Sequence, residues 1–168
     1  MTETMYGKIS APFRSERGKK LMIGGNRCST AIMYLMYPIA LYFSWKEGMG
    51  TLFISVLVPA ISFLILSGYR HVKNAPRPYE SLAIDPIIKK DTKGNSFPSR
   101  HVFCAFLIAS LMVERMLGLG IFCFVIAIVI GVLRVIGGVH YPKDVIVGAI
   151  CGVLFWKVGT MIAMGLFA

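Results

Sequence analysis

The sequence predicts an all-α integral membrane protein, a helical bundle of about five transmembrane helices preceded by a polar N-terminal segment. The 168 residues are 56% hydrophobic and only 15% charged, where soluble domains carry roughly a quarter charged. A soluble domain of this length has too much surface for so few charges to cover. The apolar residues also fall in runs of about twenty, the length a helix needs to cross a bilayer core. Helices are the economical choice there, because an isolated strand leaves its backbone unpaired in lipid. The length admits one domain and leaves no room for a second substantial core.

Residues 1–28 read as a polar, basic N-terminal segment, possible to lay down as an amphipathic interfacial helix, and residues 29–168 as the transmembrane domain. Residues 1–20 lack the apolar stretch of a signal peptide, so targeting is expected from the internal spans. The first span runs over Ser29–Trp45 and the second over Thr51–Ser67, with Trp45-Lys46-Glu47-Gly48 as the turn of a hairpin. Residues 68–99 break the apolar pattern and carry Arg, Lys, Pro, Asp and Gly, including the turn signal Lys93-Gly94-Asn95-Ser96. The third span starts near Arg100 and stops before Gly118-Leu119-Gly120. The fourth covers Ile121 to about Val132. The fifth starts at Pro142, which suits a first helical turn where its missing N–H costs nothing, and continues toward Ala168. Tyr42, Trp45, Tyr69 and Trp156 near span ends read as interfacial anchors.

The four cysteines, Cys28, Cys104, Cys123 and Cys151, form no CxxC pair and have no histidine at zinc-ligand spacing. They read as structural, and no metal or other cofactor is expected. Eighteen Lys and Arg against eight Asp and Glu leave a net charge of +10, which alone fits nucleic acid, anionic lipid or a phosphate-bearing substrate. Following the chain back and forth through the membrane places residues 68–99 and 134–144 on one face. That face then carries three basic segments.

In the first, Arg70 and Arg77 are two helical turns apart and fit one side of a helix, where two guanidiniums would clamp a phosphate. An anionic-lipid anchor explains this segment equally well. In the second, Pro98-Ser99-Arg100-His101, Ser99 is placed as an N-cap and the helix start as an anion site. His101 can donate a proton to a leaving oxygen, although an interfacial histidine bonded to a carbonyl is the plainer reading. In the third, Arg134 to Asp144, His140 and Asp144 are four apart at a helix start. The carboxylate can take one ring nitrogen and leave the other free as a nucleophile. Gly137 and Gly138 allow close approach of a ligand or simply of a neighbouring helix.

Taken in order, the three segments resemble the tripartite signature of the type 2 phosphatidic acid phosphatase (PAP2) superfamily, which also includes vanadium haloperoxidases. Arg70-x6-Arg77-Pro78 matches Lys-x6-Arg-Pro with Arg for Lys. Pro98-Ser99-Arg100-His101 matches Pro-Ser-Gly-His with Arg for Gly. Leu133-Arg134-x5-His140-x3-Asp144 matches Ser-Arg-x5-His-x3-Asp with Leu for Ser. All the spacings agree, and the match reaches from the second span to the fifth.

The resemblance implies a metal-independent membrane lipid phosphatase with a phosphohistidine intermediate. Its catalytic residues would be His140 as nucleophile, Asp144 orienting it and His101 as general acid. Arg70, Arg77, Ser99, Arg100 and Arg134 would hold the phosphate. The expected partners are a lipid phosphate substrate and membrane lipids, not nucleic acid, and the oligomeric state is open. Undecaprenyl diphosphate, phosphatidylglycerol phosphate and phosphatidic acid all fit, with a prenyl diphosphate ahead because Arg100 adds a cation beside the pocket. The competing readings are a non-catalytic anionic-lipid-binding protein and a vanadate-dependent haloperoxidase-like enzyme. A multi-pass cell-membrane location is expected. The resemblance puts the active site on the extracytoplasmic side, whereas the basic N-terminal tail, on the same face, argues for the cytoplasm.

Overall fold

The computed structural model describes residues 1–167, and Ala168, the expected end of the last span, lies outside them. The chain forms α1 (Glu3–Ser10), a single 3-10 turn (Ala11–Phe13), α2 (Glu16–Glu47), α3 (Met49–Lys73), a short α4 (Pro78–Ser81), α5 (Arg100–Arg115), α6 (Leu117–Ile136) and α7 (Pro142–Phe167). The five long helices coincide with the five expected spans, but their ends move. Helix α2 starts thirteen residues earlier than Ser29, where Ser15 accepts a hydrogen bond from Gly18 N at 3.1 Å and so satisfies one of the unpaired donors of a helix start. It runs unbroken through position 28, so the change of composition there is not a break in the chain. Helix α6 continues past Val132 and takes in Arg134.

Three stretches, Met49–Ser81, Leu117–Ile136 and Pro142–Leu166, are long and apolar enough to cross a membrane. Helices α2 and α5, which coincide with the first and third expected spans, are less apolar or shorter than these three. Helix α2 mixes Tyr, Ser and Pro among its apolar residues. Helix α5 has only sixteen residues, about 24 Å at 1.5 Å per residue. It sits in the middle of the bundle, packed most extensively against α6 and α7 and also touching α2 and α3. Val102, Phe103, Leu107, Leu111 and Met112 are buried along it. A helix shielded from lipid on so many sides does not need the apolar circumference that α3, α6 and α7 present, with Leu64, Val125 and Leu154 exposed on them.

Small residues set the packing. A Cβ on Gly148 would come within 2.7 Å of Ser99 O, and one on Gly152 within 2.5 Å of Phe103 O. These two glycines, four apart, let α7 lie directly on the backbone of α5, as small-xxx-small pairs do in membranes. The first hairpin is joined by a buried hydrogen bond between the Ser44 and Ser55 hydroxyls (2.9 Å), and Tyr37 Oη donates to Ser55 O (3.2 Å). At the end away from the three motifs, Arg115 pairs with Glu47 and Lys157 with Glu114. Trp156, expected at an interface, is instead fully buried. The apolar run of α7 hides which turns of it face protein, whereas Tyr42, Trp45 and Tyr69 are about half exposed.

Helix α1 turns its buried residues, Tyr6 and Ser10, toward the protein. The Tyr6 hydroxyl accepts from Ile87 N and donates to Asp85 O, both at 3.3 Å. Ala83 N donates to Glu3, and Arg14 pairs with Asp85 at 3.2 Å. The segment therefore holds the connection between α4 and α5. Tyr6→Phe removes the acceptor of a buried amide and should cost about 2 kcal/mol. A lower Tm in detergent is the expected readout, and an unchanged one would mean that α1 does not hold this connection.

Candidate active site

Helix α3 ends where Asn74 adopts the left-handed conformation (φ 40°) and donates its N–H to Arg70 O at 2.9 Å. Arg70 is thus in the last turn of α3, while Arg77 lies beyond the helix, directly before α4. The expectation that the two share one side of a helix is corrected, because the αL residue and the following Pro76 turn the chain away. They converge nonetheless. Both are buried, and both bind the 94–98 strand of chain. Arg70 donates to the carbonyls of Asn95, Ser96 and Pro98. Arg77 Nε donates to Gly94 O at 2.9 Å and Nη1 to Val139 O at 3.3 Å. Glu80 completes the clamp by accepting from Arg77 N (2.7 Å) and from Gly94 N (2.9 Å).

Ser99 does precede α5 in the N-cap position, but its hydroxyl makes no capping bond. It is buried without a partner, while its N–H donates to Asp144 O at 2.8 Å. Arg100 begins α5 with its guanidinium over the Phe63 ring, 5.4 Å from the centroid. Arg134 is buried on the last turn of α6, its Nε without a partner. Leu133, which stands where the PAP2 pattern has Ser, points toward Gly25 of α2.

His140 lies in the connection from α6 to α7, after Gly138, whose φ of 75° suits glycine. A Cβ on Gly138 would also stand 2.9 Å from the Tyr6 hydroxyl. His140 Nδ1 is 3.6 Å from Asp144 Oδ2, with both side chains almost fully buried. Asp144 Oδ2 accepts from Ser96 Oγ at 2.5 Å and from Tyr141 N at 3.0 Å, and Ser96 Oγ is 3.4 Å from His140 Nδ1. The carboxylate, the hydroxyl and the imidazole form one buried group that fixes the ring by its Nδ1 side. Burial is the main reason that the His140 imidazole is pulled down to about 4, with Arg77 and Arg134 adding to it and the bond to Asp144 opposing it. The ring is therefore neutral at ordinary pH, as a nucleophile must be.

A polar cavity of about 350 Å³ gathers Arg70, Arg77, Arg100, His101 and His140 on one wall system. Asp144 stands behind His140, and Ser99 and Arg134 are buried outside the lining. No Asp or Glu lines this cavity. An apolar slot of about 290 Å³, lined by Met33 and Tyr34 of α2, Phe63 of α3 and Ile108 of α5, shares Arg100 and His101 with it. Among the described residues no group of three or more metal-ligating side chains occurs.

Sequence reasoning missed three residues here. Ser96 reads only as part of a turn signal, yet it binds Asp144 across 48 residues. Glu80 and Lys90 sit in a polar segment that gives no periodicity to place them. Their only signal is that they lie between two motifs.

The PAP2 superfamily model matches residues 47–165. The bacitracin transport permease protein BcrC of Bacillus licheniformis is 31% identical over 134 residues, which are 73% of this chain and 66% of that protein, just under two thirds of its length. Among solved structures, LpxE of Aquifex aeolicus has a TM-score of 0.74 at 22% identity, covering 95% of this chain and 94% of that one. The first transmembrane PAP2-type phosphatidylglycerolphosphate phosphatase from Bacillus subtilis has a TM-score of 0.67 at 20% identity, covering 97% and 86%. With the three motifs in order, the bundle that brings them to one cavity and a family match over most of its length, this membrane chain belongs to the PAP2 superfamily.

Proposed function

We propose that the chain is a lipid phosphatase that hydrolyses a lipid phosphate or diphosphate through a phosphohistidine. One observation carries the reading: a cavity lined by arginines and no carboxylate, with a neutral, carboxylate-oriented His140 in its wall. In the first step His140 Nε2 attacks phosphorus, the P–O bond to the lipid breaks, and His101 gives the departing oxygen its proton. In the second, water attacks the phosphohistidine, His101 takes up a proton, and inorganic phosphate leaves with His140 restored. Arg70, Arg77 and Arg100, which line the cavity, offset the charge that builds on the phosphoryl oxygens, with Arg134 adding its field from outside the lining and Ser99 buried at the start of α5. Arg70 and Arg77 also shape the pocket, since they hold the 94–98 backbone against it.

The apolar slot beside Arg100 and His101 supports a substrate whose tail stays among α2, α3 and α5 while its head reaches the arginines. A prenyl diphosphate is favoured over phosphatidylglycerol phosphate or phosphatidic acid, because Arg100 stands at the junction of slot and cavity. The site is read as facing outward from a cell membrane. Phosphate release from a panel of lipid monophosphates and diphosphates, with His140→Ala as control, tests the activity. Arg100→Gly should lower the diphosphate rate by roughly tenfold relative to the monophosphate, the size of one charge-assisted hydrogen bond. Unchanged relative rates would remove Arg100 from substrate choice.

A further inference from the structure

We propose that Lys90, which belongs to none of the three motifs, recognises the second phosphate of a lipid diphosphate and sets the preference for diphosphate over monophosphate. This rests on the phosphatase reading and deepens it. Lys90 lines the polar cavity with Arg70, Arg77, Arg100, His101 and His140. Its place there is built. Two residues earlier, Ile88 N donates to Gly137 O at 3.1 Å, and the Ile88 side chain lies against Gly137. Ile87 is buried, with its N–H on Tyr6. The chain leading to Lys90 is therefore pinned to the same connection that carries His140.

The charge balance of the cavity calls for more than one phosphate. Arg70 and Arg77 direct N–H groups to backbone carbonyls. Lys90 is half-buried and forms no ion pair among the described residues. A lysine in such company is costly unless an anion joins it. One phosphate brings about two negative charges at neutral pH, and a diphosphate brings more over a longer group.

The leaving group gives the choice a chemical reason. A lipid monophosphate expels an alkoxide, which needs a proton, and His101 supplies it. With a lipid diphosphate the bridging P–O bond breaks and the lipid monophosphate leaves, a stable anion that needs cations in place of a proton. Lys90 and Arg100 line the same polar cavity as His101, on the side where the departing oxygen would emerge.

The same surroundings make the contact pH-dependent. Burial, then Arg134 of α6, Arg77 before α4, Arg100 of α5 and Arg70 of α3, lower the Lys90 ammonium to about 8. His71, Lys93, His101 and His140 also face it across the cavity. In the free enzyme Lys90 is charged below about pH 8 and neutral above it. The diphosphate preference in kcat/KM should then fall as pH rises through that value.

The test uses the full chain in detergent micelles, with a prenyl diphosphate and the monophosphate of the same prenol, across pH 6–10. Wild type should prefer the diphosphate and lose that preference above about pH 8. Lys90→Met should reduce the ratio of the two kcat/KM values by about 30-fold at pH 7, one charge-assisted contact. Lys90→Arg should keep the ratio and remove its alkaline loss. Equal losses on both substrates, an unaltered ratio in Lys90→Met, or an alkaline loss that persists in Lys90→Arg would overturn the proposal. Failure of the phosphatase reading is separable, since wild type would then release no phosphate from either lipid.

Discussion

His140→Ala is expected to lower phosphate release from every lipid phosphate by roughly 10⁴-fold or more, the scale on which removing a covalent nucleophile acts. The geometry offers no substitute. The other histidines lining the cavity, His71 and His101, form no ion pair with a carboxylate among the described residues, whereas His140 has Asp144 and Ser96 on its Nδ1 side. His140→Asn, which keeps more of the buried volume, should be equally inactive with a Tm near wild type, separating lost chemistry from lost fold. Rapid quench with a labelled terminal phosphate should trap label on the wild-type chain and none on either variant. The pH profile carries a further sign. Because burial lowers His140 to about 4, the nucleophile is neutral above that value, and the acid limb of kcat/KM due to it should lie there, well below an ordinary imidazole near 6.5. Residual turnover in His140→Ala within tenfold of wild type would refute the assignment.

Asp144→Asn should cost about 10³- to 10⁴-fold in kcat, as neutralising the orienting carboxylate of a histidine does elsewhere. Asp144 Oδ2 accepts from Ser96 Oγ and Tyr141 N and faces His140 Nδ1. An amide of the same shape either breaks one of these acceptor contacts or turns its NH₂ toward a donor. The ring of His140 then loses the partner that fixes its tautomer and the negative charge that offsets the cation forming as phosphohistidine appears. KM should change little, because Asp144 does not line the polar cavity. A variant that raises KM with kcat intact would show that Asp144 serves binding and not orientation.

How much of this was legible in the sequence depends on the range of the interaction. Apolar runs set by lipid thickness located the five long helices. Their ends were harder, because Ser15 starts α2 through a side-chain cap and Asn74 stops α3 through a left-handed backbone, both inside polar stretches. The motif spacings marked Arg70, Arg77, His101, His140 and Asp144 as candidates, which lie in or beside one cavity, yet not how the first two meet. They meet because each grips the carbonyls of residues 94–98 and not because they share a helix face. Trp156 shows the limit of composition, since an aromatic in an apolar run can face protein or lipid. Ser96, Glu80 and Lys90 depend on contacts that only the folded chain makes.

The docking of α1 has a practical consequence. Tyr6 reaches Ile87 and the neighbourhood of Gly138, a residue two positions from His140. A reporter fused at the amino terminus would therefore lie on the same face of the bundle as the polar cavity. It would also sit where steric load strains the catalytic connection. Helix α7 leads away from the site for 26 residues, about 39 Å, so a carboxy-terminal fusion is expected to report on the opposite compartment and to leave phosphate release near wild type. A pair of such fusions turns the question of sidedness into a comparison of two signals from one chain.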